Sequence, residues 1–160
     1  ALPILPFYRR NIGVVFQDFR LLPKMTVFEN IAFALEVLAL DKVTIRRRVR
    51  EILELVSLQD KAKSFPDQLS GGQQQRATIA RAIANHPKVL IADEPTGNLD
   101  PEKSMEIIEL LDKINKVEGT TIVMVTHDST LVNTYKKRTI ALEDGFIVAD
   151  IAKGGYIHHD

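Results

Sequence analysis

A serine followed by two glycines, within residues 69–73 (LSGGQ), has the composition of a binding site for a phosphate group. Ser70 can cap a helix that begins after it, because its hydroxyl accepts a hydrogen bond from an otherwise unpaired N–H group of the first turn. Gly71 and Gly72 carry no Cβ, so a bulky anion can approach the backbone closely. The first-turn N–H groups and the helix dipole favour negative charge at that end. Taken alone, these residues also suit an ordinary turn before a helix.

Two adjacent carboxylates, Asp93 and Glu94, follow the apolar run 89–92 (VLIA). Such a run predicts a parallel strand buried on both faces, and open α/β sheets bind ligands at the carboxyl ends of their strands. We assign Asp93 to Mg²⁺, which prefers oxygen ligands, and Glu94 to the general base. An isolated Asp-Glu pair would instead be interpreted as a solvated strand end.

The flanking sequence predicts the elements that position these residues. Residues 1–10 are broken by prolines and predict a loop. Strands are expected at 12–16, 89–92 and 120–126, with a hairpin at Asp144-Gly145 between strands 139–142 and 146–151. Helices are expected from the Thr26 capping box to about Leu40, over 44–57, after Ser70, and from Asp100 to Gly119. Strands and helices alternate from Val89 onward, so we expect an α/β fold with a mostly parallel sheet.

Two helix faces carry specific expectations. Arg46, Arg47, Arg48 and Arg50 lie mostly off the apolar stripe of the 44–57 helix, which predicts a solvated face rather than a surface for an acidic partner. The helix after Asp100 is expected to bury one apolar face, formed by Met105, Ile108, Leu111 and Ile114.

Composition narrows the class of protein. The chain has 160 residues, 45% of them hydrophobic, and its 21 basic and 21 acidic residues cancel. This balance argues against a broad nucleic-acid-binding field. The absence of cysteine excludes disulfides and thiolate metal sites. No apolar run reaches the length of a membrane span, so we expect any membrane contact to come through a partner.

LSGGQQQR and VLIADEP, at this spacing, resemble the signature motif and the Walker B strand of ABC-type ATPases. The resemblance implies a truncated P-loop NTPase fold with a helical subdomain, ATP and Mg²⁺ as cofactors, and a homodimer formed through the nucleotide interface. It assigns nucleotide contacts to the residues of the signature, which are Leu69, Ser70, Gly71, Gly72 and Gln73.

The same resemblance gives roles to three isolated residues. Gln17 resembles the Q-loop glutamine that contacts Mg²⁺ and water, Asp100 the D-loop aspartate at the dimer seam, and His127 the switch histidine that hydrogen-bonds the γ-phosphate. Each also has a simpler interpretation. Gln17 and His127 can be polar residues that end strands, and Asp100 can be a helix cap.

Longer stretches, at 9–35, 91–101 and 119–128, resemble the cell-division branch of the family. Members of this branch act with an FtsX-like integral membrane subunit, which implies a peripheral position on the cytoplasmic face of the bacterial plasma membrane. The related lipoprotein-release and macrolide-export ATPases share much of the pattern and remain alternatives.

None of the eight glycines lies in a G-x-x-x-x-G-K-[ST] pattern, the loop that holds phosphates in such enzymes. We therefore expect this chain to be part of a longer enzyme. By itself it should be inactive and should bind ATP weakly or not at all. Its expected divisions are 1–16 (remnant of the core), 17–84 (Q-loop, helical subdomain, signature helix) and 85–160 (Walker B, D-loop and H-loop). The alternatives are a non-catalytic binding module and a DNA-repair or chromosome-organising ATPase, which neutral charge and the lack of heptads disfavour.

Overall fold

A parallel sheet carries the two carboxylates in the computed structural model, which describes residues 11–153. Strands β1 (Ile12–Val15), β2 (Val89–Asp93) and β3 (Thr121–Val125) form this sheet in the order β1-β2-β3. Val15 lies opposite Ala92, and Asp93 lies opposite Val125. Because all three strands run the same way, their carboxyl ends share one edge.

Four α-helices accompany this sheet among residues 11–153, and each follows a polar capping residue; short 3₁₀ helices lie at Gln59–Lys61 and Pro66–Gln68. The four α-helices are α1 (Val27–Glu36), α2 (Lys42–Leu55), α3 (Gly71–Ile83) and α4 (Pro101–Glu118). Their caps are Thr26, Asp41, Ser70 and Asp100, and the capping boxes at Thr26 and Ser70 are both formed. Gly119 ends α4 in the left-handed conformation, at φ 69°, which glycine adopts without steric cost.

The described residues after Val125, 126–153, belong to a second compact unit. It contains helix α5 (Ser129–Tyr135) and the antiparallel strands β4 (Thr139–Glu143) and β5 (Phe146–Ile151). Asp144 and Gly145 have φ values of 48° and 81°, as a two-residue turn with two positive φ angles requires. The predicted hairpin is confirmed.

The predicted fold class is confirmed, but the burial predicted for two strands is wrong. In β2, Leu90 and Ala92 are buried, whereas Val89 and Ile91 are only half-buried. Strand β3 was expected to be a buried strand, yet Val123 and Val125 are exposed. Within residues 11–153, β3 pairs with β2 along one side only, and its outward residues lie on the open face of the sheet.

Arg48 is the main correction to the predicted helix faces. It was placed on a solvated face, but it is 8% exposed and its guanidinium contacts Glu118 at 2.9 Å. It also donates to the carbonyls of Ile83 and Ala84, both at 3.2 Å. Arg48 follows Ile45 by three residues and precedes Ile52 by four, so it lies on the buried stripe of α2.

Several boundaries and one buried face also differ from prediction. Met105 is exposed, and the buried stripe of α4 begins at Ile107, after the ion pair of Glu106 with Arg76 of α3. Helix α1 ends at Glu36 rather than near Leu40, and α2 begins at Lys42, after the Asp41 cap and two residues before the predicted start.

Helix α5 was not predicted, because it has only seven residues and only Leu131 among them is buried. The loop predicted at 1–10 lies outside the described residues. No helix within 11–153 combines the length and apolar content that crossing a bilayer requires.

Candidate active site

The carboxyl edge of the sheet brings Gln17 to the loop that follows the two carboxylates. β1 ends at Val15, just before Gln17, and β2 ends at Asp93. The Gln17 side chain donates from Nε2 to Asn98 Oδ1 at 3.2 Å, and Asn98 Nδ2 donates back to the Gln17 carbonyl at 3.3 Å. Asp93 and Gln17 are both exposed on this edge. The two side chains assigned to Mg²⁺ therefore lie on the same edge.

Glu94 lies at a strained turn immediately after β2. Its φ is 47°, a left-handed conformation that costs a residue with a Cβ about 1–2 kcal/mol. Its N–H donates to the Val125 carbonyl at 2.9 Å, and its own carbonyl accepts from the Gly97 N–H at 3.1 Å. Such strain persists only where the surroundings fix the backbone. The Glu94 backbone is therefore held in place by its neighbours.

A glycine at position 97 allows Gln17 to lie across this turn. A Cβ added to Gly97 would lie 2.6 Å from Gln17 Nε2 and 2.9 Å from Gln17 Cδ. A larger residue would therefore push the Gln17 amide away from Asn98.

The amino end of α3 has the geometry expected from its sequence. Ser70 Oγ accepts from the Gln73 N–H at 3.3 Å, and Gln73 Oε1 accepts from the Ser70 N–H at 3.0 Å. The N–H groups of Gly71 and Gly72 belong to the first turn and have no partner within the helix. Ser70 is exposed, whereas Leu69 before it is buried and anchors the turn. The capping role and an exposed helix end for an anion are thus both present.

The two glycines of this turn also lie close to neighbouring residues. A Cβ at Gly71 would lie 3.4 Å from Leu99 Cδ2, and one at Gly72 would lie 3.4 Å from Lys103 Cδ. The amino end of α3 therefore packs directly against the loop after Glu94 and the first turn of α4.

An ion cluster joins α3 to α4 beside these glycines. Glu106 accepts from Arg76 Nη2 at 2.6 Å and from Lys103 Nζ at 2.5 Å. The hydrogen bond from Lys103, together with that from Arg76, lowers the pKa of the Glu106 carboxyl below its usual range. The hydrogen bond to Glu106 in turn raises the pKa of the Lys103 ammonium. The contacts of Glu106 with Arg76 and Lys103 therefore hold the two helices together.

Asp100 and His127 belong to different compact units. Asp100 Oδ1 accepts from the Lys103 N–H at 3.0 Å, so the carboxylate caps α4 as its simpler interpretation requires. His127 is an exposed residue of the second unit, placed after the end of β3 in the sequence.

The sequence prediction missed two residues that hold this site together. Asn98 pairs with Gln17, and Gln75 donates from Nε2 to the Pro95 carbonyl at 2.6 Å. Gln75 lies three residues after buried Gly72 and four before buried Ile79, so helical spacing places it on the buried face of α3. That spacing could have identified it as a buried polar residue.

The donor set of the edge suits a divalent metal that binds together with a phosphate. Within residues 11–153, no three His, Cys, Asp or Glu side chains cluster as ligands for a metal ion. Mg²⁺ commonly takes only one or two carboxylates and fills its remaining positions with water and phosphate oxygens. The carboxylate of Asp93 and the amide oxygen of Gln17 have the right chemistry for such an ion.

Comparisons with known proteins show the family of this chain. The family described as ABC transporter matches residues 3–97. The cell division ATP-binding protein FtsE of Bacillus subtilis is 61% identical over 98% of this chain, which spans 68% of that protein.

Two solved structures have the same fold. CbiO1 from Clostridium perfringens, part of the ABC transporter complex CbiONQ, has a TM-score of 0.84 at 34% identity over 89% of this chain and 57% of its own. The ATP-binding cassette MJ0796, a dimer bound to ADP and Pi, has a TM-score of 0.79 at 38% identity over 98% of this chain and 69% of its own. The sheet edge, the capped glycine turn and these relatives lead to one conclusion: the chain belongs to the ABC transporter family.

Proposed function

We propose that this chain hydrolyses ATP as part of the nucleotide-binding subunit of a bacterial membrane complex. The observation that carries the proposal is the fixed turn at Glu94, which lies beside Asp93 and Gln17 on the carboxyl edge of a parallel sheet. A general base needs a fixed position within hydrogen-bond reach of the water that it deprotonates. Backbone hydrogen bonds hold this turn, so the Glu94 side chain extends from a backbone of fixed position.

Each site residue then has a distinct task. Glu94 orients the attacking water and takes its proton, and His127 donates a hydrogen bond to the γ-phosphate. Asp93 and Gln17 supply oxygen ligands for Mg²⁺, which neutralises phosphate charge when it is bound. The anion-binding end at Ser70 contacts nucleotide held by a second copy, with Leu69, Gly71, Gly72 and Gln73 beside it. Asp100 lies at the seam between the two copies.

The dimer is supported by the relative MJ0796, which is dimeric with ADP and Pi bound. It is also supported by the position of the α3 amino end, which is exposed at Ser70. An exposed, capped helix terminus attracts a phosphate from outside the chain as readily as one from within it.

We further propose that the process served is cell division, with an FtsX-like integral membrane subunit as partner on the cytoplasmic face of the plasma membrane. Identity to FtsE is 61%, against 34% to CbiO1 of a transporter complex. This difference favours division over transport. We place the contact with this subunit at the groove between the helical subdomain and the Gln17 loop. Co-purification of the full-length protein with its membrane subunit tests the partner, and loss of that complex on mutation within residues 19–25 would support this contact surface.

The catalytic assignment is tested by Glu94→Gln in the full-length protein. We expect ATP to bind with unchanged affinity while turnover falls by roughly 10²-fold or more, because the amide cannot accept the proton from water. Steady-state phosphate release and calorimetric ATP binding measure the two effects. Hydrolysis at the wild-type rate would refute the role of Glu94.

ATP binding by the 160 residues alone gives a second test. They contain no G-x-x-x-x-G-K-[ST] pattern, whose backbone N–H groups and lysine hold the phosphates. We therefore propose weak binding and no turnover by these residues in isolation. Micromolar ATP binding in calorimetry would contradict this proposal.

A further inference from the structure

We infer that Gln75 is a positioning residue for hydrolysis, because it holds the Glu94 turn through the Pro95 carbonyl. The inference rests on the proposed function and deepens it. Nothing in the motif pattern assigns a task to this glutamine, which lies inside α3 rather than at its exposed end.

The geometry places Gln75 against the strained turn. Its side chain is fully buried, and Nε2 donates to the Pro95 carbonyl at 2.6 Å, one residue after the left-handed Glu94. Two further bonds at this turn, from Glu94 to Val125 and from Gly97 to Glu94, join backbone to backbone. Gln75 thus supplies a side-chain bond to the turn from a different element.

The buried amide has only one of its two ends satisfied. Gln75 Oε1 is buried and has no hydrogen-bond partner among the described residues. The amide cannot be reversed, because the Pro95 carbonyl only accepts and would then face another acceptor. A buried polar group with an unmet bond stabilises a fold poorly. The contribution of Gln75 is therefore the location of Pro95, rather than stability.

This bond also connects two parts of the site. Gln75 belongs to the same helix whose amino end, at Ser70, is the proposed contact for nucleotide on a second copy. A shift of α3 on that contact would therefore be transmitted to the backbone beside Glu94. The position of Glu94 in one copy is in this way linked to the nucleotide bound by the other copy.

The test is Gln75→Met in the full-length protein. Methionine keeps the length of the side chain but cannot donate a hydrogen bond. The number of unpaired buried acceptors stays the same, because the substitution removes Gln75 Oε1 and leaves the Pro95 carbonyl without its donor. We expect kcat to fall by roughly 10- to 100-fold through misplacement of Glu94. The ATP dissociation constant should stay within about twofold, since binding groups are untouched.

Thr120→Val is the matched control. Thr120 is buried, and its hydroxyl donates to the Pro87 carbonyl at 2.9 Å, so the control also removes a buried side-chain bond to a proline carbonyl. It lies at the opposite end of the sheet from Glu94, and we expect kcat to stay within about twofold. An equal fall of kcat in both variants, or a wild-type kcat in Gln75→Met, would overturn the inference.

Glu94→Gln, measured in parallel, distinguishes a failure of the inference about Gln75 from a failure of the proposed function. If it is inactive while Gln75→Met turns over normally, only the inference fails. If it hydrolyses ATP at the wild-type rate, the proposed function fails and the inference fails with it.

Hydrogen exchange tests the contact without any mutation, and so remains decisive if Gln75→Met does not fold. The side-chain amide protons of Gln75 should exchange slowly in the wild-type protein, because the group is buried and bonded. Those of the more exposed Gln73 should exchange quickly. Rapid exchange at Gln75 would overturn the inference.

Discussion

Gly97 shows how a single residue at this site controls another. Its missing Cβ leaves room for the Gln17 amide, which a methyl group would meet at 2.6 Å. The loop sequence TGN predicts a turn, but the contact between this glycine and a residue far away in the chain is a property of the fold.

Gly97→Ala is therefore expected to displace Gln17 and break its bond to Asn98 while leaving the fold intact. The clash falls on the end of a flexible side chain, so the unfolding free energy should change by less than about 1 kcal/mol. ATP turnover should fall, because the Gln17 oxygen leaves its place. Phosphate release and urea unfolding measure the two effects. Unchanged turnover with Gln17 displaced would contradict the role of Gln17.

Prediction from sequence succeeded best for residues whose task is local. Ser70 and Asp100 were identified as caps because a cap depends on neighbours within a few residues, and the structure has both. Arg48 and Gln75 were misplaced or missed because their partners, Glu118 and Pro95, are distant in the chain. Their positions on buried helical stripes are visible in the sequence, but their partners are not.

At the scale of elements, β1 and α3 pack with almost no space between them. A Cβ added to Gly13 would lie 2.5 Å from the Ala82 carbonyl oxygen and 2.9 Å from Leu90 Cδ1. The first of these is backbone, which cannot move aside as a flexible side chain can. The glycine thus allows the strand that leads to Gln17 to lie directly under the helix that begins at Ser70.

Gly13→Ala should destabilise the protein by about 1–3 kcal/mol, because the added methyl forces the helix and strand apart. Urea unfolding measures the change. Ile12→Val, on the more open face of the same strand, is the control and should cost less than about 1.5 kcal/mol. Equal stability of Gly13→Ala and the wild type would contradict this close packing.

Elements were predictable in type because their periodic patterns and caps are local. The residues at which the elements end, and the burial of their faces, were less predictable. The burial expected on both faces of β2 and β3 assumed neighbours on each side, whereas part of this sheet is exposed among the described residues. Apolar runs show that a strand prefers burial, but they do not show what covers it.

At the scale of the first compact unit, Arg48 from the middle of α2 and His86 just after the end of α3 both meet Glu118 at the end of α4. Glu118 accepts from Arg48 and lies 2.9 Å from His86 Nδ1, while Glu51 also approaches Arg48 at 3.8 Å. Burial raises the pKa of the Glu118 carboxyl, but hydrogen bonds and charge from Arg48, helped by His86, outweigh it and lower the pKa overall.

Stability should therefore fall in acid through this group. Because the folded-state pKa of Glu118 is lowered, its contribution is present above the unfolded value of about 4.3 and is lost as pH falls through the folded value. Urea unfolding should show that Glu118→Gln costs about 2–4 kcal/mol at pH 7 and progressively less below pH ~4.5. Glu109→Gln, exposed on the same helix, is the control. A cost that does not change with pH would contradict the ion pair.

The functional division into 1–16, 17–84 and 85–160 stays a prediction, as do the roles of the site residues. The parallel sheet and the family were predictable because two motifs at a fixed spacing carry so much information. The central claim is that the Ser70 end of one copy closes on nucleotide held beside Asp93 and Glu94 of another.

The most direct test is the molar mass of the full-length Glu94→Gln protein in solution, with and without ATP, in the presence and absence of Ser70→Asp. Aspartate still caps α3, so the fold should be preserved, but its charge repels a phosphate. We predict an ATP-dependent dimer for Glu94→Gln and a monomer that still binds ATP for the double variant. Equal dimerisation of both proteins with ATP would contradict the account.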